Sequence, residues 1–209
     1  MNDKKLEKKK AKREKAFKER TNEMRKFQFI AFAVLIFILL LLLVPFGYVH
    51  NTSMNNGSGG SEVTFNGYNL LFAALSNNYS SANKAYGDIA IPFNYYARSY
   101  IVSMGPILII SFVLILLAIA VNVFAFIKNR QELSLISLIL FSLIFVLLFV
   151  LFIMALSMKD SLILPKYCSN NPACSIRSTA IFPSLVSIIG IIISSINFIQ
   201  YRKAKILLK

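Results

Sequence analysis

Long apolar stretches alternate with polar segments along the chain. Four stretches lack ionisable side chains and predict spans at 27–49, 101–127, 133–158 and 179–201. At about 1.5 Å rise per residue, each is long enough to cross a bilayer core of about 30 Å. Transmembrane β-strands are about 10 residues long and alternate in polarity, which these stretches do not. The pattern predicts an all-α membrane protein, a four-transmembrane-helix bundle with a small extracellular cap.

Lys and Arg are distributed unevenly between the two sides. Eighteen lie in the basic arm 1–26, the loop 128–132 and the tail 202–209, and five lie in 50–100 and 159–178. Positive residues favour the cytoplasmic side of a membrane. We therefore expect a multi-pass protein of the plasma membrane, with both termini cytoplasmic and 50–100 and 159–178 extracellular. A cleaved signal peptide usually has an apolar stretch of about 7–15 residues, shorter than the uninterrupted 29–49.

Composition supports the membrane class. Of 209 residues, 56% are apolar and 15% are charged, and the net charge is +14. A soluble domain carries roughly 25% charged residues. The values exclude an ordinary soluble enzyme, a disordered tail and a disulfide-stapled miniprotein. Abundant Lys, Asn and Ile without Trp indicate an AT-rich bacterial genome.

The arm 1–26 is rich in Lys, Glu, Arg and Ala, which favours a helix. Its charge predicts contact with anionic lipids of the inner leaflet. The expected lipid-contacting residues are Lys8, Lys9, Lys10, Lys12, Arg13, Arg25 and Lys26. Two alternatives stay open: the charge holds the N-terminus inside during insertion, or it binds an acidic partner or nucleic acid. Nucleic acid is disfavoured, since base stacking requires aromatic residues and only Phe17 and Phe27 are present.

The two outer segments carry short signals. In segment 50–100, a strand is predicted at residues 63–65 and a turn at Asn66-Gly67. An apolar run follows at 70–75 that is too short to span a membrane. We expect this run either to lie on the membrane surface or to form a small core. Cys168 and Cys174 fall in 159–178, on the side where disulfides persist, so we expect a disulfide closing this loop. A metal site there would need further ligands.

Within the spans no Asp, Glu, Lys, Arg or His occurs, which argues against a proton-coupled pump and intramembrane hydrolase chemistry. We therefore expect no enzyme activity, catalytic residue, cofactor or metal. Small and polar residues recur at helical spacing and are expected to pack helices together or to face a lumen. They are Ser111, Asn122, Ser187, Gly190, Ser194 and Asn197. Asn122 and Asn197 should lie at similar depth and could hydrogen-bond to each other.

The segment Asn66-Gly67-Tyr68-Asn69-Leu70-Leu71-Phe72 resembles a G-[FY]-x-L-[IL]-F element. This element is associated with uncharacterised four-span membrane proteins of low-GC Gram-positive bacteria. The resemblance implies a four-helix bundle with an outer cap and no assigned activity.

Together these observations lead us to expect a non-enzymatic scaffold or an accessory subunit of a membrane complex. Its partner would be another membrane protein or further copies of the chain. The alternative is the membrane subunit of a transport complex for an uncharged or lipid-like substrate. A membrane enzyme ranks third. A transport subunit should hold a cavity lined by Ser111, Asn122, Ser187 and Asn197, whereas a scaffold should be packed solid there.

Overall fold

The computed structural model describes residues 2–51, 61–76, 84–86, 90–157, 174–177 and 179–208. The helices are α1 (Asn2–Leu41), α2 (Gly67–Ser76), α3 (Ala90–Lys128), α4 (Ser134–Ser157) and α5 (Ile181–Leu208), and a 3-10 turn covers Gln131–Leu133. The strands are β1 (Pro45–Asn51), β2 (Ser61–Asn66), β3 (Lys84–Tyr86) and β4 (Cys174–Arg177).

Four helices contain segments long and apolar enough to cross a membrane. These are Ala11–Leu41, Ser103–Lys128, Gln131–Leu156 and Ile181–Ile206. Helix α1 packs against α3 and α5, and α4 packs against α3 and α5, so the four form a closed bundle. The predicted all-α four-helix bundle is confirmed, and the protein is a multi-pass membrane protein.

A regular spacing of buried residues explains this packing. On each long helix the buried positions are separated by three and four residues, as in left-handed helical bundles. On α1 they are Thr21, Met24, Gln28, Ala31, Leu35, Ile38 and Leu42. On α4 they are Ser134, Ser137, Phe141, Ile144, Leu148, Leu151 and Ala155. The other faces of these helices carry exposed Leu, Ile, Val and Phe, as expected for contact with lipid.

One end of the bundle, called here the sheet end, carries a four-stranded sheet in the order β3-β2-β1-β4. All three pairings are antiparallel, with Val49 opposite Val63 on β2 and opposite Ile176 on β4. Helix α1 ends at Leu41, eight residues before the predicted end of the first span. Pro45 cannot continue the helix, since it lacks an N–H, and it begins β1 instead.

Helix α2 closes the bundle beneath the sheet. The Asn66 side chain accepts a hydrogen bond from the Asn69 N–H at 2.8 Å and so caps α2. Asn66-Gly67, where a turn was predicted, is therefore the junction between β2 and α2. Leu70 and Leu71 are buried, so the short apolar run belongs to the core.

The opposite end, called here the basic end, holds the α3–α4 turn and the charged parts of α1 and α5. Asn129 has φ 53°, a left-handed conformation that Asn tolerates. The Arg130 N–H then bonds to the Ala125 carbonyl at 3.0 Å, which ends α3 in a Schellman motif. This closure positions the 3-10 turn, which contacts all four long helices.

Candidate functional site

A hydrogen-bonded network of polar side chains joins three helices inside the bundle. Asn122 on α3 donates from Nδ2 to Ser137 Oγ on α4 at 3.0 Å and to its own helix at the Ala118 carbonyl at 2.8 Å. Ser137 Oγ lies 3.1 Å from Ser194 Oγ on α5. All three side chains are buried. The network fixes the relative height of α3, α4 and α5, since each member has its partner on another helix.

The expected hydrogen bond between Asn122 and Asn197 does not form. Asn122 reaches α5 through Ser137 and Ser194, one helical turn nearer the sheet end than Asn197. The reason is the intervening helix: α4 lies between α3 and α5 in the ring of helices and supplies a hydroxyl at this level.

The next level toward the basic end contains three carboxamide side chains. Gln28 is 2% exposed, Asn197 is 3% exposed and Gln131 is 5% exposed. Gln28 Nε2 and Oε1, Gln131 Oε1 and Asn197 Oδ1 form no hydrogen bond with any described residue. Each such buried group costs about 1–3 kcal/mol. Buried polar groups normally have a hydrogen-bond partner, so these four atoms call for polar partners.

Three observations place these amides at a similar depth. The rings of Phe29 on α1 and Phe126 on α3 have centroids 6.4 Å apart, so Gln28, next to Phe29, lies near the level of Phe126. Asn197 follows Ser194 by one helical turn toward the same end. Gln131 lies in the 3-10 turn that contacts both α1 and α5. We call Gln28, Gln131 and Asn197 the amide layer.

Arg25 borders the amide layer. Its guanidinium carbon lies 4.7 Å from the centroid of the Phe126 ring, within cation–π distance. Its Nε is buried and forms no hydrogen bond among the described residues. The layer therefore has unused donors as well as unused acceptors.

Toward the sheet end the polar face is closely packed. The Phe141 ring lies against Gly190, in the space that a Cβ at this position would occupy. Ser111 and Ser187 donate to carbonyls of their own helices, at Ile107 and Pro183, over 2.7 and 2.9 Å. These two hydroxyls therefore form their hydrogen bonds within their own helices. The close contact of α4 and α5 at Phe141 and Gly190 separates them from the amide layer.

All six residues singled out as helix-packing or lumen-facing are buried in the bundle. The structure brings Asn122 and Ser194 together and places Gly190 against α4. Sequence reasoning missed Ser137, Gln131 and Gln28. The spacing of three and four residues through Ser134, Ser137 and Phe141 was the available signal.

Among the expected lipid-contacting residues, side chains are described for Lys12, Arg13, Arg25 and Lys26; the side chains of Lys8, Lys9 and Lys10 lie outside the described part. Helix α1 is continuous through this region. Lys12 and Arg25 are thirteen positions apart, about 20 Å along the axis. A single headgroup layer therefore cannot contact both unless α1 is strongly tilted.

The predicted disulfide is not supported. Cys168 lies outside the described residues, Cys174 begins β4, and no cysteine pair lies at disulfide distance in the described part of the chain. The bridge stays a prediction.

A shallow groove of about 320 Å³ lies near the C-terminal end of α5. It is lined by Phe198, Tyr201, Arg202, Lys205 and Ile206. Arg202 and Lys205 lie 5.9 and 6.0 Å from the ring centroids of Phe198 and Tyr201. The groove faces outward at the basic end and is separate from the predicted lumen-facing residues.

No protein-family model and no curated protein matches the chain.

Proposed function

We propose that the protein is a non-enzymatic scaffold or accessory subunit of a plasma-membrane complex. The observation that carries the proposal is the packing of Phe141 against Gly190. A polar path along the bundle axis would have to pass this level. Together with the Asn122–Ser137–Ser194 network, the contact indicates that the small and polar residues serve helix packing.

The orientation in this proposal follows from the charges at the basic end. Lys128 and Arg130 flank the α3–α4 turn, and Arg202, Lys203 and Lys205 lie on α5. All five cations are exposed. Because positive loops favour the cytoplasm, we infer that the basic end with both termini is cytoplasmic and that the sheet end is extracellular.

Two surfaces support a partner-binding role. The exposed apolar faces of the four long helices suit lipid or another membrane protein. Helix α1 also extends past the α3–α4 turn, and Thr21, Met24 and Ala204 are buried where α1 and α5 continue together beyond it. This paired extension would hold the basic arm away from the membrane, in position for a cytoplasmic partner.

The transport alternative requires water or substrate to reach Ser187. The test is modification of Ser187→Cys in native membrane by a small, membrane-permeant methanethiosulfonate. Lys203→Cys, exposed on the same helix, is the reactive control. The number of attached reagent groups is measured by intact mass spectrometry. The number found for the parent chain is subtracted, which removes any contribution from Cys168 and Cys174.

We expect Lys203→Cys to react rapidly and Ser187→Cys to react only after unfolding in dodecyl sulfate. If Ser187→Cys reacts in the membrane at a rate close to that of Lys203→Cys, the interior is open. That result would overturn the scaffold proposal in favour of a transport subunit.

A further inference from the structure

The amide layer presents hydrogen-bonding atoms of both kinds. The acceptors are Gln28 Oε1, Gln131 Oε1 and Asn197 Oδ1, and the donors are Gln28 Nε2 and Arg25 Nε. The three amide side chains are more than nine-tenths buried. Ser111 and Ser187, nearer the sheet end, donate to carbonyls of their own helices. Each of the three amides keeps at least one polar atom that forms no hydrogen bond with the described residues.

We propose that the amide layer is a binding site for neutral hydroxyl groups, supplied by ordered water or by the headgroup of a lipid. A hydroxyl both donates and accepts, so it can satisfy carbonyl oxygens and N–H groups at once. Buried water typically forms about three hydrogen bonds to polar groups that otherwise lack partners.

Other ligand classes fit less well. A metal cation would bind the three oxygens but would be repelled by the adjacent Arg25 and leave the Gln28 Nε2 donor unused. A phosphodiester anion would accept from Arg25 and Gln28 but carries no proton for the oxygens of Gln131 and Asn197. The mixed set of donors and acceptors therefore selects a neutral group.

The position of the site defines its access. Phe141 and Gly190 close it on the side of the sheet end, and one of its members, Gln131, belongs to the 3-10 turn at the basic end. Hydroxyl groups must therefore enter from the basic end. The site is closed toward the sheet end, so it provides no path across the membrane. It is therefore compatible with the proposed scaffold role.

Cysteine accessibility tests the site. Asn197→Cys is compared with Ser111→Cys, a buried control on α3 that lies toward the sheet end. Both variants are reconstituted in phosphatidylcholine vesicles, with and without phosphatidylglycerol, whose headgroup carries two hydroxyls. A small methanethiosulfonate is added, and labelling above the parent chain is counted by intact mass.

We expect Asn197→Cys to be labelled at least tenfold faster than Ser111→Cys. A rate independent of phosphatidylglycerol identifies water as the source of hydroxyls, and slowing by this lipid identifies its headgroup. Equal rates for the two variants would overturn the proposal.

Thermal stability provides a second measurement that needs no reagent. Gln28→Met preserves the shape of the side chain and removes both polar atoms. If hydroxyl groups satisfy Gln28, the melting temperature in detergent falls by several degrees. If the amide is simply unpaired, the substitution relieves its cost and the melting temperature stays the same or rises, which would contradict the proposal.

Discussion

The Phe141 ring on α4 fills the space beside Gly190 on α5, so the ring packs directly against the α5 backbone. The contact lies one level above the Asn122–Ser137–Ser194 network. Together they divide the bundle interior into a polar half near the basic end and a packed half near the sheet end. This division underlies both the proposed scaffold role and the proposed hydroxyl site.

Gly190→Ala should destabilise the bundle, because the new Cβ would overlap the Phe141 ring. Overpacking of this kind costs about 1–3 kcal/mol. The measurement is thermal unfolding in mild detergent, followed by circular dichroism. Ile189→Ala, at a half-exposed neighbouring position that faces away from the core, is the control and should change the melting temperature less.

Combining Gly190→Ala with Phe141→Leu should recover part of the stability that the two single variants lose. The smaller side chain gives the new Cβ room, so the two effects should not add. Strictly additive losses would show that the Phe141–Gly190 contact does not determine the helix spacing.

Ser137→Ala should cost more than Ser142→Ala, although both serines lie on α4. Ser137 bonds across to α3 and α5, whereas Ser142 donates to the Leu138 carbonyl of its own helix. Hydrogen bonds between helices in membranes average about 0.6 kcal/mol and reach about 1.7 kcal/mol. Unfolding titrations with dodecyl sulfate measure the difference. Equal losses for the two variants would contradict an interhelical role for Ser137.

Tyr68 should make stability depend on alkaline pH. Its hydroxyl donates to the Leu39 carbonyl at 3.1 Å, and burial raises its pKa above the ordinary value of 10.0. A raised folded-state pKa means that this stabilisation is complete below the unfolded-state pKa and is lost as pH rises through the folded-state pKa. Wild type should therefore lose stability above about pH 10 more steeply than Tyr68→Phe, which thermal melts across this range would show. If the melting temperatures of wild type and Tyr68→Phe fall in parallel as the pH rises, Tyr68 does not cause the alkaline loss of stability.

Anionic lipid should stabilise the protein through Arg25 and Lys26 rather than through Lys12 and Arg13. The two pairs are separated by about 20 Å along α1, and charges are screened over about 8 Å at physiological salt. The measurement is the rise in melting temperature on adding phosphatidylglycerol. It should shrink in Arg25→Gln/Lys26→Gln and persist in Lys12→Gln/Arg13→Gln. The opposite ranking would place the whole arm on the membrane surface.

The apolar runs were sufficient to predict the four-helix bundle, because bilayer thickness constrains helix length directly. The extent of the helices was harder to predict. Helix α3 begins at Ala90, eleven residues before the predicted start of its span, since its first turns lie outside the strongly apolar run. The first span ends earlier than predicted because Val44-Pro45 leads into a strand, which hydrophobicity alone does not indicate.

The candidate site was predictable only in part. Regular spacing identified Ser187, Gly190, Ser194 and Asn197 as one face of a helix. Their partners depend on which helices are neighbours, and hydropathy carries no information about that order. Gln28 lies two residues from the charged arm, so its place in the buried stripe emerges only when α1 is seen as one continuous helix.

The most direct test of the scaffold proposal is native mass spectrometry of the protein released from its own membrane into mild detergent at native abundance. The proposal predicts a particle heavier than the 23.5 kDa chain, containing a second membrane protein or further copies at fixed stoichiometry. Gly190→Ala should weaken this assembly only as far as it unfolds the bundle. A single chain of 23.5 kDa with bound lipid, and no partner after crosslinking in the intact membrane, would contradict the account.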